Sequence, residues 1–494
     1  MAKKIQLRIL GILLVISIIS FLPIINAGNQ TLSFSVTYGG NHFDTAYSLE
    51  WDLVGSGGKL YVVGTSNGFN PSFNKEGIVA MFGENLETPA TVKKTPFASL
   101  GYSEFFDVAV PSDPVPNSIA VVGKKPDSSG KEDPMVYFLQ KTDLATISGH
   151  QLVISGGGQD DRATSVAIDS TSTAVVGGYS DSVTSHRVAF LVKFLDAFNV
   201  FWIRAFEPLN AEGSFVSDLA VDSNNNIIVT GSFNYPGKLF DAYVAKFDPL
   251  GGLIWLTTFQ DGKGEHAYSV AVDDAGFIYV TGATDSFGTN YDIFVAKFTS
   301  GGSLLWFKVI DIGNDDFAYS IAVIQHDHIY ITGVTFKTDP NGDTFFAKLD
   351  ALGNVLYVMK SSMTGEDRGF KVALNIHSTN DIFYVNIAGI SNADPAAFSS
   401  TTFTVSSPSI TTDTPSVTIY IPTISLTSLP ALVDISGSIS IPDGGEQRAV
   451  VYKFDPPTSL NEAKNSNNNY LSYWLILPII VSIALITAFI RRRK

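Results

Sequence analysis

A chain of 494 residues that is rich in Phe, Tyr, Val, Ile, Thr and Gly, only 16% charged, and without long Ala/Glu/Lys/Leu stretches favours strands over helices. Its formal net charge is −15 although seven cations, Lys3, Lys4, Arg8, Arg491, Arg492, Arg493 and Lys494, sit at the extreme ends, so the middle repels phosphate backbones and a nucleic-acid partner is not expected. With no cysteine, disulfides, thiol chemistry and a lipobox anchor are excluded, and the core alone has to hold the fold.

Residues 1–27 carry a basic start, an apolar run from Ile9 to Ile25 and a small residue, Ala27, where a signal peptidase could cut. This reads as a secretory signal peptide, with an uncleaved anchor as the alternative, and either way the repeats beyond it are expected outside the cytoplasm.

From residue 28 to about 460 the chain repeats itself. The phrase AYSVAVDDAGFIYVTGAT, Ala267 to Thr284, returns 51 residues later as AYSIAVIQHDHIYITGVT, Ala318 to Thr335. Each copy is followed by a second phrase, DIFVAKFTSGGSLLWFKV from Asp292 or DTFFAKLDALGNVLYVMK from Asp343, with DAYVAKFDPLGGLIWLTT from Asp241 as a third relative. One unit therefore offers four apolar runs of strand length separated by Asp/Asn/Gly turn chemistry, the signature of a four-stranded propeller blade. The glycine ending the second strand recurs at Gly64, Gly123, Gly178, Gly231, Gly282, Gly333 and Gly389, which predicts an all-β, seven-bladed propeller.

These lines resemble the seven-bladed β-propeller repeat family (SBBP) of exported prokaryotic, plausibly archaeal, proteins, with blades four to six matching best and blades one, two and seven departing. The resemblance implies a propeller outside the membrane that serves as a binding or surface module, and no particular reaction.

The last blade has three strands of its own, ending at VVYKFD, residues 450–455. A fourth is expected from the N-terminus. Trp255, Trp306 and Tyr357 each precede the next blade's first acid by ten residues, and so does Phe34 in TLSFSVTYGG. That phase assigns residues 31–40 to the outer strand of blade seven and closes the ring with both chain ends.

Several recurrent polar residues are candidates for chemistry. Asp44, Asp161, Glu212, Glu265, Asp316 and Asp367 open their blades, with Glu104 one place late in blade two. Such a ring could hold Ca²⁺ through oxygen ligands at one mouth of the channel, while its recurrence with the repeat favours turn capping. Lys193, Lys246, Lys297, Lys348 and Lys453 recur on the third strands and are expected to snorkel or to pair with acids. Asp339, Asn341 and Asp343 superficially resemble a calcium loop but lack its glycine, Thr344 standing there, and read as a hairpin. His326 and His328 around Asp327 have no third ligand nearby. No GxSxG, HExxH or P-loop is present, and paired carboxylates for glycoside hydrolysis stay open because their separation in space is not written in the sequence.

The second-to-third strand step is ten residues in blades four to six and 59 in blade seven, from Gly389 to Arg448. The extra text, about residues 391–447, is rich in Ser, Thr, Pro and β-branched residues and reads as an additional β-ribbon, because SVTIYIPTISLTS alternates, or as a disordered projection. A polar tether, residues 461–469, then leads to residues 470–490, an apolar segment of membrane-spanning length flanked by Tyr470, Tyr473 and Trp474, and to the basic tail at 491–494. The expected protein is a cell-membrane protein anchored by one C-terminal helix. Its propeller would bind envelope proteins or glycans, with an exported hydrolase or lyase and a structural lattice component as the alternatives.

Overall fold

The computed structural model describes residues 32–454 apart from short stretches at 39–43, 53–57, 68–74, 84–88, 97–101, 112–116, 238, 261–262, 325–327, 362–364, 378–381, 392–397 and 435–447. The segments read above as signal peptide (1–27), tether (461–469), membrane span (470–490) and basic tail (491–494) lie outside these residues. Among the described residues there is no helix, and none is therefore long and apolar enough to cross a membrane.

Seven antiparallel sheets are arranged as a ring. Their first strands are Asp44–Asp52, Glu104–Ala109, Asp161–Ile168, Gly213–Val221, Glu265–Val272, Asp316–Ile324 and Arg368–His377. Each first strand touches the first strand of the next blade, and Arg368–His377 touches Asp44–Asp52, so these strands surround the axis. The middle of the described second and third strands is buried, and Ile278–Thr284 and Asp292–Phe298 are buried along their whole length. They are covered by a neighbouring blade on each face, which is why they read as continuous apolar runs rather than as alternating ones.

The recurrent glycine has a specific cause. Every first strand carries a β-bulge, for example between Ala267 and Ser269, opposite that glycine. The bulge pushes a backbone carbonyl into the space a side chain would need: a Cβ at Gly282 would lie 1.8 Å from the His266 carbonyl oxygen, and the other six positions would meet the equivalent carbonyl at 1.8–2.0 Å. No side chain fits there.

Neighbouring blades are latched by a second repeated device. The indole N–H groups of Trp202, Trp255 and Trp306 donate to the carbonyls of Pro249, Ser300 and Ala351 in the hairpin of the following blade, at 3.1, 3.2 and 3.3 Å. Each ring lies over the hairpin glycine, Gly251, Gly302 or Gly353, all at positive φ. Asp248 and Asp350 accept two backbone N–H bonds each to set two of these turns.

The N-terminal strand Leu32–Tyr38 pairs antiparallel with Arg448–Phe454 and gives blade seven the order 32–38, 448–454, 382–391, 368–377 from outside to inside. The ring closes with both ends of the chain, as the ten-residue phase of Phe34 predicts.

The insertion of blade seven is neither a separate ribbon nor a projection. It is a belt. Phe398–Ser400 adds a fifth strand to blade six, Thr404–Ser406 to blade five, Thr411–Asp413 to blade four, Val417–Tyr420 to blade three, Ile424–Ser428 to blade two and Val433–Asp434 to blade one, all antiparallel. Between Ile382–Ser391 and Arg448–Phe454 of blade seven, the described belt strands thus pass along the outer edges of six blades, from six to one, against the blade order. Pro408, Pro415, Pro422 and Pro430 fall between successive belt strands. Proline cannot donate to a ladder, so it marks the corners and blunts the new outer edge against pairing with another chain.

Candidate functional site

The bulge also sets what faces the axis. The bulged residues are Tyr47, Phe106, Thr164, Ser217, Tyr268, Tyr319 and Phe370. Five are aromatic and form a continuous arc: Phe106 to Tyr47 at 5.4 Å between centroids, Tyr47 to Phe370 at 5.6 Å, Phe370 to Tyr319 at 5.8 Å and Tyr319 to Tyr268 at 5.4 Å. The arc is interrupted at blades three and four, where Thr164 and Ser217 stand.

The next residue of each blade forms a polar layer: Ser48, Asp107, Ser165, Asp218, Ser269, Ser320 and Lys371. Asp107 accepts the hydroxyl of Ser48 at 2.6 Å, the hydroxyl of Ser165 at 2.9 Å and the Val166 N–H at 2.9 Å. Asp218 accepts Ser269 at 2.6 Å, and at 2.8 Å it shares with Asp107 the one proton of the Ser165 hydroxyl. Lys371 Nζ lies 3.9 Å from Asp107 and 3.8 Å from Asp218, which places a blade-seven ammonium beside carboxylates of blades two and four and therefore on the axis. Burial opposes that charge, but Asp107, Asp218 and Glu50 outweigh it and hold the amine above its ordinary range. Burial, with Asp107 adding a like charge and Lys371 pulling the other way, raises Glu50 to about 7. These groups form the floor of a chamber of about 420 Å³ whose walls are apolar, from Val108, Ile168, Val270 and Ile321 among others. The layer is legible as a column of the repeat once its phase is known: AYS in blades five and six becomes GFK in blade seven. It is the break in pattern that a reading of the opening acids alone does not reveal.

The opening acids themselves lie elsewhere. Asp44, Asp161, Glu265, Asp316 and Asp367 are buried, at 0–2% exposure. Asp161 accepts the N–H groups of Asp181 and Ser182 and the Ser182 hydroxyl, and burial raises it to about 6. Glu265 accepts the hydroxyls of Thr284 and Ser286, Asp316 the N–H groups of Ile312 and Gly313 at 2.7 and 3.1 Å, and Asp367 the Ser361 hydroxyl at 3.3 Å. Glu104 is buried beside Lys75 and Lys124. Only Glu212 of this group is exposed.

Of the third-strand lysines, Lys193 and Lys246 pair with Asp169 and Asp222 at 2.8 Å, and Lys297 and Lys348 lie over Tyr279 and Tyr330. The side chain of Lys453 and residues His326 and Asp327 lie outside the described residues. Asp339 accepts the N–H groups of Asn341 and Gly365 and closes the hairpin.

Glu212 lines a pocket of about 670 Å³ between blades three and four, on the blades where the aromatic arc is broken. Its other walls are Gln159, Asp181, Ser182, His186, Arg187, Asn234 and the rings of Phe215 and Phe240. Arg187 lies 3.7 Å over the Tyr179 ring and holds Asp181 with two nitrogens at 3.1 and 3.2 Å. His186 Nε2 is 2.6 Å from Glu207, whose other oxygen accepts the hydroxyl of the belt residue Tyr420 at 2.7 Å. The belt thereby braces the pocket wall.

No family model matches the chain. An uncharacterized WD repeat-containing protein of Acanthamoeba polyphaga mimivirus is 23% identical over 248 residues, 36% of this chain, and the match spans 18% of that protein's length. Solved structures with similarity include a polysaccharide lyase, an ulvan lyase bound to a glucuronate and sulfated rhamnose unit, with TM-score 0.41, 9% identity and coverage of 72% of this chain and 93% of that chain. Another is a protein of unknown function from Dyadobacter fermentans, with TM-score 0.38, 9% identity and coverage of 86% and 98%.

Proposed function

We propose that the protein is an exported, membrane-anchored binding module of the SBBP type, and that its ligand is a hydroxyl-rich glycan seated between blades three and four. The observation that carries this is the convergence of residues that break the repeat. His186 and Arg187, from one hairpin of blade three, meet the one exposed opening acid, Glu212, at a concave surface, whereas the equivalent acids of the other described blades are buried in turns. A wall of amide, hydroxyl and charged groups beside two phenyl faces suits a polyol, which offers many hydrogen-bonding groups and apolar C–H faces. The apolar and basic segments at both chain ends support display outside a cell.

The test is a glycan screen of the full chain in detergent. Binding should fall at least about tenfold, on the order of 1.4 kcal/mol, in Arg187→Ala and His186→Ala, and unchanged affinity in both would sink the assignment of this pocket. Anchoring is checked separately. Protease added to intact cells should remove the propeller and leave the RRRK end protected, and recovery of the propeller from the cytoplasmic side would overturn the topology. A hydrolase or lyase reading is favoured by one feature, Glu50 raised to about 7 on the chamber floor, in the range of a general acid or base. The same screen, run with a depolymerisation readout and with Glu50→Gln, separates it from binding alone.

A further inference from the structure

One group of acids meets at a single corner between blades five and six. Asp292 opens the third strand of blade five, Asp311 ends its fourth strand, and Asp316 opens blade six. Carboxylate oxygens from the three lie within 4.8 Å of one another. Asp292 is 7% exposed, and its side chain has no hydrogen bond or ion pair among the described residues. Asp316 is fully buried, its Oδ2 takes two backbone N–H groups, and the Thr335 hydroxyl lies against the same carboxylate.

The repeat supplies an internal control. In blade six the acid equivalent to Asp292 is Asp343, and Lys360 Nζ lies 2.7 Å from it. Lys360 stands opposite Phe345, and in blade five the residue opposite the equivalent Phe294 is Val309. Blade five thus lacks the neutralising lysine and adds a carboxylate instead, Asp311. The lysines nearby are engaged by the belt: Lys308 donates to the Ser407 hydroxyl at 2.8 Å and Lys337 to the Thr402 carbonyl at 2.6 Å. Three carboxylates held this close, two of them buried, repel one another unless protons or a cation intervene.

We propose that Asp292, Asp311 and Asp316 bind a divalent cation, Ca²⁺, between blades five and six. The donors are all oxygens, which suits a hard cation, and carboxylate oxygens within 4.8 Å of one another are close enough to share one ion at Ca–O distances of about 2.4 Å. Because Asp311 also pairs with Thr404 of the belt, the ion joins blade five, blade six and the belt at one point.

The experiment uses the full chain in detergent, stripped with chelator, and titrates it calorimetrically with CaCl₂ while its melting temperature is followed. The wild type should bind Ca²⁺ and melt several degrees higher with millimolar Ca²⁺ than with chelator. Asp311→Asn removes the half-buried ligand and should lose that binding step. Val309→Lys recreates the blade-six pair, so it should fold, melt at a temperature independent of Ca²⁺, and lack the same step. Absence of Ca²⁺ binding in the wild type, or the same stoichiometry and affinity in both variants, would overturn the site.

Discussion

Deletion of residues 31–40 should abolish cooperative folding. The strand Leu32–Tyr38 lies in register with the other end of the chain, Phe34 opposite Lys453, Val36 opposite Val451 and Tyr38 opposite Ala449. Without it, the ladder of Arg448–Phe454 is left unpaired on one side. Blade seven has no substitute among the described residues, because the belt adds a fifth strand to the other six blades and none to this one. An unpaired central edge also invites pairing with a second chain. The separation along the chain is no obstacle to the native pairing, since loop-closure entropy grows only as the logarithm of length. Size-exclusion chromatography and a thermal melt decide the matter. A deleted chain that is monomeric and melts like the parent would refute the role of this strand as the closure.

Replacing Lys371 by methionine should cost on the order of 1–3 kcal/mol, because the ammonium is itself part-exposed but its loss leaves buried carboxylates without their cation. The ammonium is the cation shared by Asp107, Asp218 and Glu50, and methionine fills its volume while leaving those carboxylates without it. The loss should depend on pH. Glu50 is raised to about 7 from an ordinary value near 4.5, so the folded state holds its proton more tightly than the unfolded chain does. Its contribution is therefore fully present below about pH 4.5 and is lost as pH rises through 7. Lys371 is what lowers Glu50 against burial, so without it the acid is raised further and the decline extends to higher pH. The difference between wild type and Lys371→Met in urea midpoint should be larger at about pH 8 than at about pH 5. A difference that shrinks with pH would mean that Lys371 does not interact with the ionised Glu50.

Blade count, strand order and ring closure were legible in the sequence because they depend on short-range regularities. A strand and its hairpin partner are neighbours in the chain, the hairpins carry Asp and Gly at fixed offsets, and a ten-residue phase carried from Trp255 to Phe34 locates a strand whose partner is more than 400 residues away. Recurrence also marked the opening acids and the third-strand lysines as parts of the blade: Asp161 and Asp316 cap turns, and Lys193 and Lys246 pair with Asp169 and Asp222. Other features depend on what meets across blades, and no local pattern encodes that. The alternation of SVTIYIPTISLTS announced strands, but their partners were the outer edges of blades three and two, and only closure of the ring left those edges open in an order the chain could trace with a proline between steps. Lys371 acquires its meaning on the axis, where the bulge turns one residue of each blade towards six others. Asp292, Asp311 and Asp316 form a cluster because the start of a third strand, the end of a fourth and the opening of the next blade meet at one corner. Strand pairing within a blade is governed by neighbours along the chain, whereas charge at the axis and at the blade corners is governed by neighbours in space, and for these only the tertiary structure decided which groups face each other.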